Sequence, residues 1–225
     1  VEKPAVSRPE EWQELVKLAA EHQVYIFEAA RNYHEAAFTV IHDFLKDKKI
    51  WGANFTYAKY SSKMGALLSG QEPNVFSAKF SGGALMDLGV YTLYAAVRLF
   101  GAPQNTCYTA QQLPNSVDLN GSGSLIYPDF QVRIQAGKNI HSQLPAEIYT
   151  DQGTLTLYGI EFIRSAIFQK LNGETESLAI RQAEHQMLEE AQAFARVLKG
   201  GQEELYSDYL QTAATVHECL FAMRK

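Results

Sequence analysis

Between residues 51 and 60 the chain alternates apolar and polar side chains, a period of two that predicts a strand. Further strands are predicted near 105–113, 121–127, 130–137, 145–150, 154–158, 161–169 and 176–181, with Asp151-Gln152-Gly153 and Asn172-Gly173 as hairpin turns. Helical spacing appears elsewhere. Trp12, Leu15, Val16 and Ala19 recur at three and four residues, and Ser7-Arg8-Pro9-Glu10 ahead of them reads as a capping box opening a helix to about residue 22. Val24-Tyr25-Ile26-Phe27 then reads as a short buried strand. A helix over 33–45 gathers Ala37, Val40, Ile41 and Phe44 on one face, and 46–49 is a basic turn. Residues 61–81 carry Gly, Ser, Asn and Pro without a period and are expected to form a long loop. A helix over 84–100 follows, stopped by Gly101 and Pro103. Helices over 184–198 and 207–223 close the chain.

A run of strands followed by helices indicates an α+β fold: an antiparallel-rich sheet with helices on one face. The strands place Tyr, Ile, Leu and Phe on more faces than two terminal helices cover. The bare face is therefore expected to carry apolar residues and to bury them against an identical subunit or another domain.

Composition changes this picture little. Hydrophobic residues make up 46% and charged residues 20% of the 225-residue chain, ordinary values for a globular protein. The net charge of −5 and the lack of a basic stripe argue against a nucleic-acid partner. Cys107 and Cys219 form no redox pair or metal knuckle, and the six histidines form no metal-like constellation, so no metal is expected. No apolar run approaches the ~18 residues of a membrane span, and no signal peptide is visible, so the expected location is the cytoplasm and no membrane partner is expected. The chain starts at Val1 without an initiator Met, so an N-terminal part is expected to be missing.

Candidate chemistry lies in Ser81-Gly82-Gly83-Ala84-Leu85-Met86-Asp87-Leu88-Gly89-Val90-Tyr91. A helix puts Asp87 and Tyr91, four apart, on one face, and Gly89 lets a backbone or flat ligand approach between them. Such a pair alone is more often a solvated surface pair than a catalyst. Glu2-Lys3-Pro4 alone reads as a charged terminus. Arg31 and Asn32 follow a predicted strand end, where α/β folds place ligands, and are candidate substrate-binding residues. No G-x-G-x-x-G occurs.

Glu2-Lys3-Pro4, the capped helix, the apolar strand running into Glu28-Ala29-Ala30-Arg31, and Gly-Gly-Ala-Leu-Met-Asp-Leu-Gly-Val-Tyr some way downstream together resemble the Gfo/Idh/MocA oxidoreductase family. Tyr at the last motif position is similar to the branch of glucose–fructose oxidoreductase and dimeric dihydrodiol dehydrogenase. The resemblance implies an N-terminal Rossmann domain binding NAD or NADP, mainly outside this chain, with residues 1–31 as its last helix and strand. It implies that 32–225 are a substrate-binding and oligomerisation domain built on an open, mostly antiparallel sheet that packs on a partner subunit as a homodimer or higher oligomer. It also implies catalytic roles for Lys3, Asp87 and Tyr91, with Glu2, Lys3 and Pro4 beside the cofactor. The implied reaction interconverts a hydroxyl and a carbonyl on a small sugar, polyol or diol by hydride transfer, and the chain alone is expected to be inactive. A non-enzymatic sensor or assembly domain with the same fold is the alternative.

Overall fold

The computed structural model describes residues 1–225. Eight strands form one open sheet: β1 Ile50–Ala58, β2 Asn105–Gln112, β3 Asp118–Ile126, β4 Gln131–Gly137, β5 Ala146–Thr150, β6 Gly153–Tyr158, β7 Ser165–Lys170 and β8 Thr175–Ser177. Their order is β2-β3-β4-β1-β5-β6-β7-β8. Every neighbouring pair is antiparallel except β1 and β4, which run parallel at the centre. Both predicted hairpin turns are present, between β5 and β6 and between β7 and β8.

Alternation sets the two faces. Phe55, Val132, Ile134, Ile148, Leu155 and Leu157 point inward and are almost wholly buried. They pack with α2 (Ala36–Leu45), α4 (Val90–Phe100) and α6 (Glu203–Met223) into one core. Helix α4 lies against β1 and β4, with α2 and α6 beside it. The outer face departs from the apolar expectation. Asn54, Thr56, Ser122, Ser124, Arg133 and Glu147 line a broad depression of about 560 Å³ there. Residues such as Thr154 and Thr156 alternate with buried Leu155 and Leu157, so period two sends the polar set outward.

Several predicted elements shift. Helix α1 runs Pro9–Glu21, but its box uses Glu11 rather than Glu10: the Glu11 carboxylate accepts the N–H groups of Ser7 (2.9 Å) and Arg8 (3.0 Å). Val24-Tyr25-Ile26-Phe27 is extended but joins no sheet, and Val24 and Tyr25 are 57% and 45% exposed. Its backbone bonds are scattered, to Ala19, Val1 and the Tyr206 hydroxyl with a parallel Glu2–Ala29 bridge just beyond, and rings hold the segment as well: Phe27 stacks on Phe194 of α5 (Leu188–Leu198), centroids 4.4 Å apart. The predicted 33–45 helix is broken at Glu35, whose extended backbone separates a single turn at Arg31–His34 from α2. Residues 61–81 contain the short α3 (Met64–Leu68) and two further turns. Strand β7 begins only at Ser165, because Ile160 and Ile163 turn inward as buried plugs ahead of it. The helical run Ala78–Phe100 is long and apolar enough to cross a membrane, contrary to the sequence expectation, but 78% of that window is buried, so it is a core helix.

Candidate active site

The site gathers where the N-terminal segment crosses the start of the core helix. Before α4 the chain makes a π-turn, Leu85–Gly89, in which the Val90 N–H reaches the Leu85 carbonyl five residues back. Such turns widen a helix locally and are frequent at functional positions. The turn is braced on both sides. An added Cβ on Gly82 would come 2.6 Å from the Val75 carbonyl oxygen, so only glycine fits there. Asp118, at the start of β3, accepts the Leu85 N–H and the Tyr108 hydroxyl, each at 2.8 Å, and caps the turn. A Cβ on Gly89 would lie 3.3 Å from that of Ala136, so the π-turn presses on β4 as closely as the glycine suggested.

Lys3 and Asp87 meet across 84 residues of sequence. The Lys3 ammonium donates to the Asp87 main-chain carbonyl at 2.7 Å and to its carboxylate Oδ1 at 3.2 Å. It also sits 4.6 Å from the centre of the Tyr91 ring. The other carboxylate oxygen, Oδ2, accepts a short hydrogen bond from Lys138, just beyond β4, whose side chain is only 5% exposed. Burial works to raise the Asp87 carboxyl, but the two lysines outweigh it and hold it below its ordinary value. Tyr91 is further framed by the Arg31 guanidinium, 5.3 Å from its ring centre, and by Tyr57 edge-on at 5.4 Å. Burial, with Glu161 and Tyr91 nearby, pushes the Tyr57 phenol up to about 12.

The remaining sequence candidates are placed as follows. Glu2 is exposed and Pro4 half-buried, and with Lys3 they border an open cleft of about 460 Å³ that also reaches Asp87. The Lys3–Pro4 peptide is cis. Arg31 has a buried Nη1 without a hydrogen-bond partner. Asn32 is fully buried; its amide donates to the carbonyls of Tyr91 (2.9 Å) and Ile160 (3.3 Å), tying the helix to the segment before β7. Beyond Tyr57 a second cavity, about 280 Å³, is bordered by His141, Tyr158, Glu161 and Arg164.

Sequence reasoning missed Lys138, Asp118, Tyr57 and Glu35. The only local signal for Lys138 was a charge closing strand β4, at Ala136-Gly137-Lys138. Glu35 is buried, its carboxylate accepting the Ile163 N–H at 2.9 Å; burial, with Glu189 and Glu161 nearby, raises its carboxyl to about 7.

Known proteins share this sequence and shape. A model of the GFO/IDH/MocA C-terminal domain matches residues 49–156. The oxidoreductase YgjR of Escherichia coli is 34% identical over 198 residues, which are 88% of this chain and 60% of that protein. The scyllo-inositol 2-dehydrogenase (NADP(+)) IolU of Bacillus subtilis is 30% identical over 225 residues, 100% of this chain and 69% of that protein. Among solved structures, KijD10, a 3-ketoreductase from Actinomadura kijaniata in complex with TDP-benzene and NADP, superposes with a TM-score of 0.79 at 19% identity, over 100% of this chain and 68% of that one. The UDP-N-acetylglucosamine 3-dehydrogenase GnnA of Acidithiobacillus ferrooxidans gives 0.76 at 10% identity, over 99% and 69%. With the Glu2-Lys3-Pro4 and Asp87–Tyr91 motifs in one site, and relatives matched at this identity and coverage, the chain belongs to the Gfo/Idh/MocA oxidoreductase family.

Proposed function

We propose that this chain carries the proton-handling and substrate-binding half of a nicotinamide-dependent oxidoreductase acting on a hydroxyl or carbonyl of a sugar, polyol or diol. The observation that carries this reading is the Lys3 ammonium held between Asp87 and the Tyr91 ring. A fixed cation there stabilises the negative charge that develops on a substrate oxygen as its proton leaves. Tyr91 is the proton acceptor for oxidation and the donor for reduction. Asp87 holds Lys3 in place through two contacts, and Asn32 holds the helix turn that bears Tyr91. Tyr57 and the cavity beside His141, Glu161 and Arg164 offer hydroxyl and charged groups to a polyhydroxylated substrate.

The residues fit the reacting end of a nicotinamide dinucleotide, NAD or NADP. The cleft beside Glu2, Lys3 and Pro4 is open and reaches Asp87. They do not fit its pyrophosphate, because Gly82 and Gly83 are pressed against Val75 and Asp118 and the chain has no G-x-G-x-x-G. When bound, the nicotinamide supplies the hydride acceptor or donor. Residues 1–31 would then complete a dinucleotide-binding domain lying mainly outside this chain, with 32–225 as the substrate domain. The parallel Glu2–Ala29 bridge, joined through α1, is the connection a parallel sheet uses. The chain also spans only 60% and 69% of the two sequence relatives' lengths.

The test is turnover by the full-length protein containing this chain. Inositols, aldoses and simple diols are offered with NAD⁺ and NADP⁺, and reduced nicotinamide is followed by absorbance. Turnover of at least one polyol is expected. A protein that binds cofactor but oxidises and reduces none of these would sink the reading.

A further inference from the structure

Lys138 lies far from every motif the sequence singled out, yet its nearly buried ammonium is bonded to the Asp87 carboxylate. A single Lys3–Asp87 pair would be electrically neutral, and a neutral pair is a weak stabiliser of a new anion. With Lys138 the cluster holds two ammonium groups and one carboxylate, a net charge of +1. Resting on the function proposed above, we propose that Lys138 is a positioning residue: it neutralises Asp87, so that the Lys3 charge is left uncompensated beside Tyr91 and the reacting oxygen.

The geometry supports this division of labour. Lys138 occupies Oδ2 alone, while Lys3 takes Oδ1 and the main-chain carbonyl. Lys138 is fixed at the close of β4: its N–H donates to the Leu119 carbonyl at 2.7 Å, and its own carbonyl accepts the Ser61 N–H at 2.8 Å. The Lys3 ammonium lies over the Tyr91 ring while that of Lys138 bonds Asp87, so Lys138 acts through Asp87. The other charged or titratable groups around the cluster are Glu2 and Lys79 in the same cleft, Asp118 at the Leu85 N–H, Arg224 beside Met86, Arg31 over Tyr91, and Tyr57 with Glu161 behind it. Glu2 with Lys79, Asp118 with Arg224 and Arg31 with Glu161 offset one another in sign, so the +1 of the triad sets the local field. Beside this partly buried cluster such a charge favours the anionic form of the substrate oxygen.

The experiment uses the full-length protein. Lys138→Met removes the charge and keeps most of the stem, Lys138→Arg keeps the charge, and Lys138→Met with Asp87→Asn removes one charge of each sign and restores +1. For hydroxyl oxidation, Lys138→Met is expected to lower kcat roughly ten- to hundredfold. KM should change little, and the rising limb of the pH–rate profile should move up by about one pH unit. Lys138→Arg should keep the parental limb, and the double variant should return it toward the parental position. A purely structural lysine would lower thermal stability while leaving that limb in place. An unmoved limb in Lys138→Met, or a folded double variant whose limb stays displaced, would overturn the proposal. Should Lys138→Met fail to fold, the double variant and Lys138→Arg are compared directly, and a limb displaced in the double variant is the overturning result. The carbon-13 titration of the Asp87 carboxyl in the same variants needs no turnover: it should move to higher pH when Lys138 is lost from an otherwise intact site. Parental turnover that collapses in Tyr91→Phe supports the function itself. Absent parental turnover would remove that function, and an unmoved Asp87 titration would separately remove the role of Lys138.

Discussion

Replacing Glu35 by Gln should stabilise the protein at alkaline pH and leave it unchanged in acid. Glu35 is 4% exposed, and one carboxylate oxygen accepts the Ile163 N–H while the other has no partner. Burial is the main reason its carboxyl rises from 4.5 to about 7 in the folded protein, with Glu189 and Glu161 adding to the rise and Arg31 opposing it. The folded state therefore keeps a proton that the unfolded chain releases. Stability from this group is fully present below about pH 4.5 and is lost as pH rises toward about 7. At about 1.4 kcal/mol for each unit, the loss approaches ~3 kcal/mol above pH 7. Gln stays neutral, keeps nearly the same shape and still accepts the Ile163 N–H. Urea unfolding of both proteins should give midpoints that coincide near pH 4 and separate near pH 8, the variant being more stable by about 2–3 kcal/mol with unchanged m. The difference between the two proteins is the quantity to read, because burial also raises Glu190 to about 7 and tilts both curves alike. Two curves that stay parallel across this range, or a variant less stable at pH 8, would refute the reasoning.

Two further predictions concern parts the site leans on. Asp118→Ala removes the acceptor for the Leu85 N–H and the Tyr108 hydroxyl; from cap and charged hydrogen-bond values it should cost about 2–4 kcal/mol in chemical denaturation. A change near zero would mean that water replaces both bonds. The polar outer face of the sheet is proposed to meet a second copy through a wet interface, so Ser124→Arg in that face should shift the full-length protein toward monomer in sedimentation. A parent that is already monomeric at micromolar concentration would remove this interface.

The sheet was legible because its inner face demands period two: Phe55, Ile134 and Leu155 are buried, and their polar neighbours are not. The Asp87–Tyr91 face was legible because helical neighbours recur locally. Of its partners, Lys3 was named only through the family resemblance, and the others were not legible. Lys138 and Asp118 reach Asp87 and Leu85 across 51 and 33 residues, and no periodicity ties a strand-end lysine or a strand-start aspartate to a distant helix. Val24–Phe27 misled for a related reason. Apolar β-branched and aromatic residues read as a strand, but strand formation needs a neighbour to hydrogen-bond, and within this chain the segment finds aromatic rings instead. The break at Glu35 was hidden because its cause, the Ile163 N–H, lies 128 residues away.

The most direct measurement is the kinetics of Tyr91→Phe in the full-length protein, with the polyol or sugar it turns over best. The change removes one hydroxyl from a ring already wedged between Lys3, Arg31 and Tyr57, so folding should survive. A positioned proton-transfer group is worth about 10²–10⁴-fold in rate. kcat/KM should therefore fall by roughly that factor, equivalent to about 3–5 kcal/mol of barrier, while the cofactor dissociation constant changes no more than about threefold. Retention of most of the parental kcat/KM by Tyr91→Phe would make the tyrosine a packing residue and contradict the proposed chemistry.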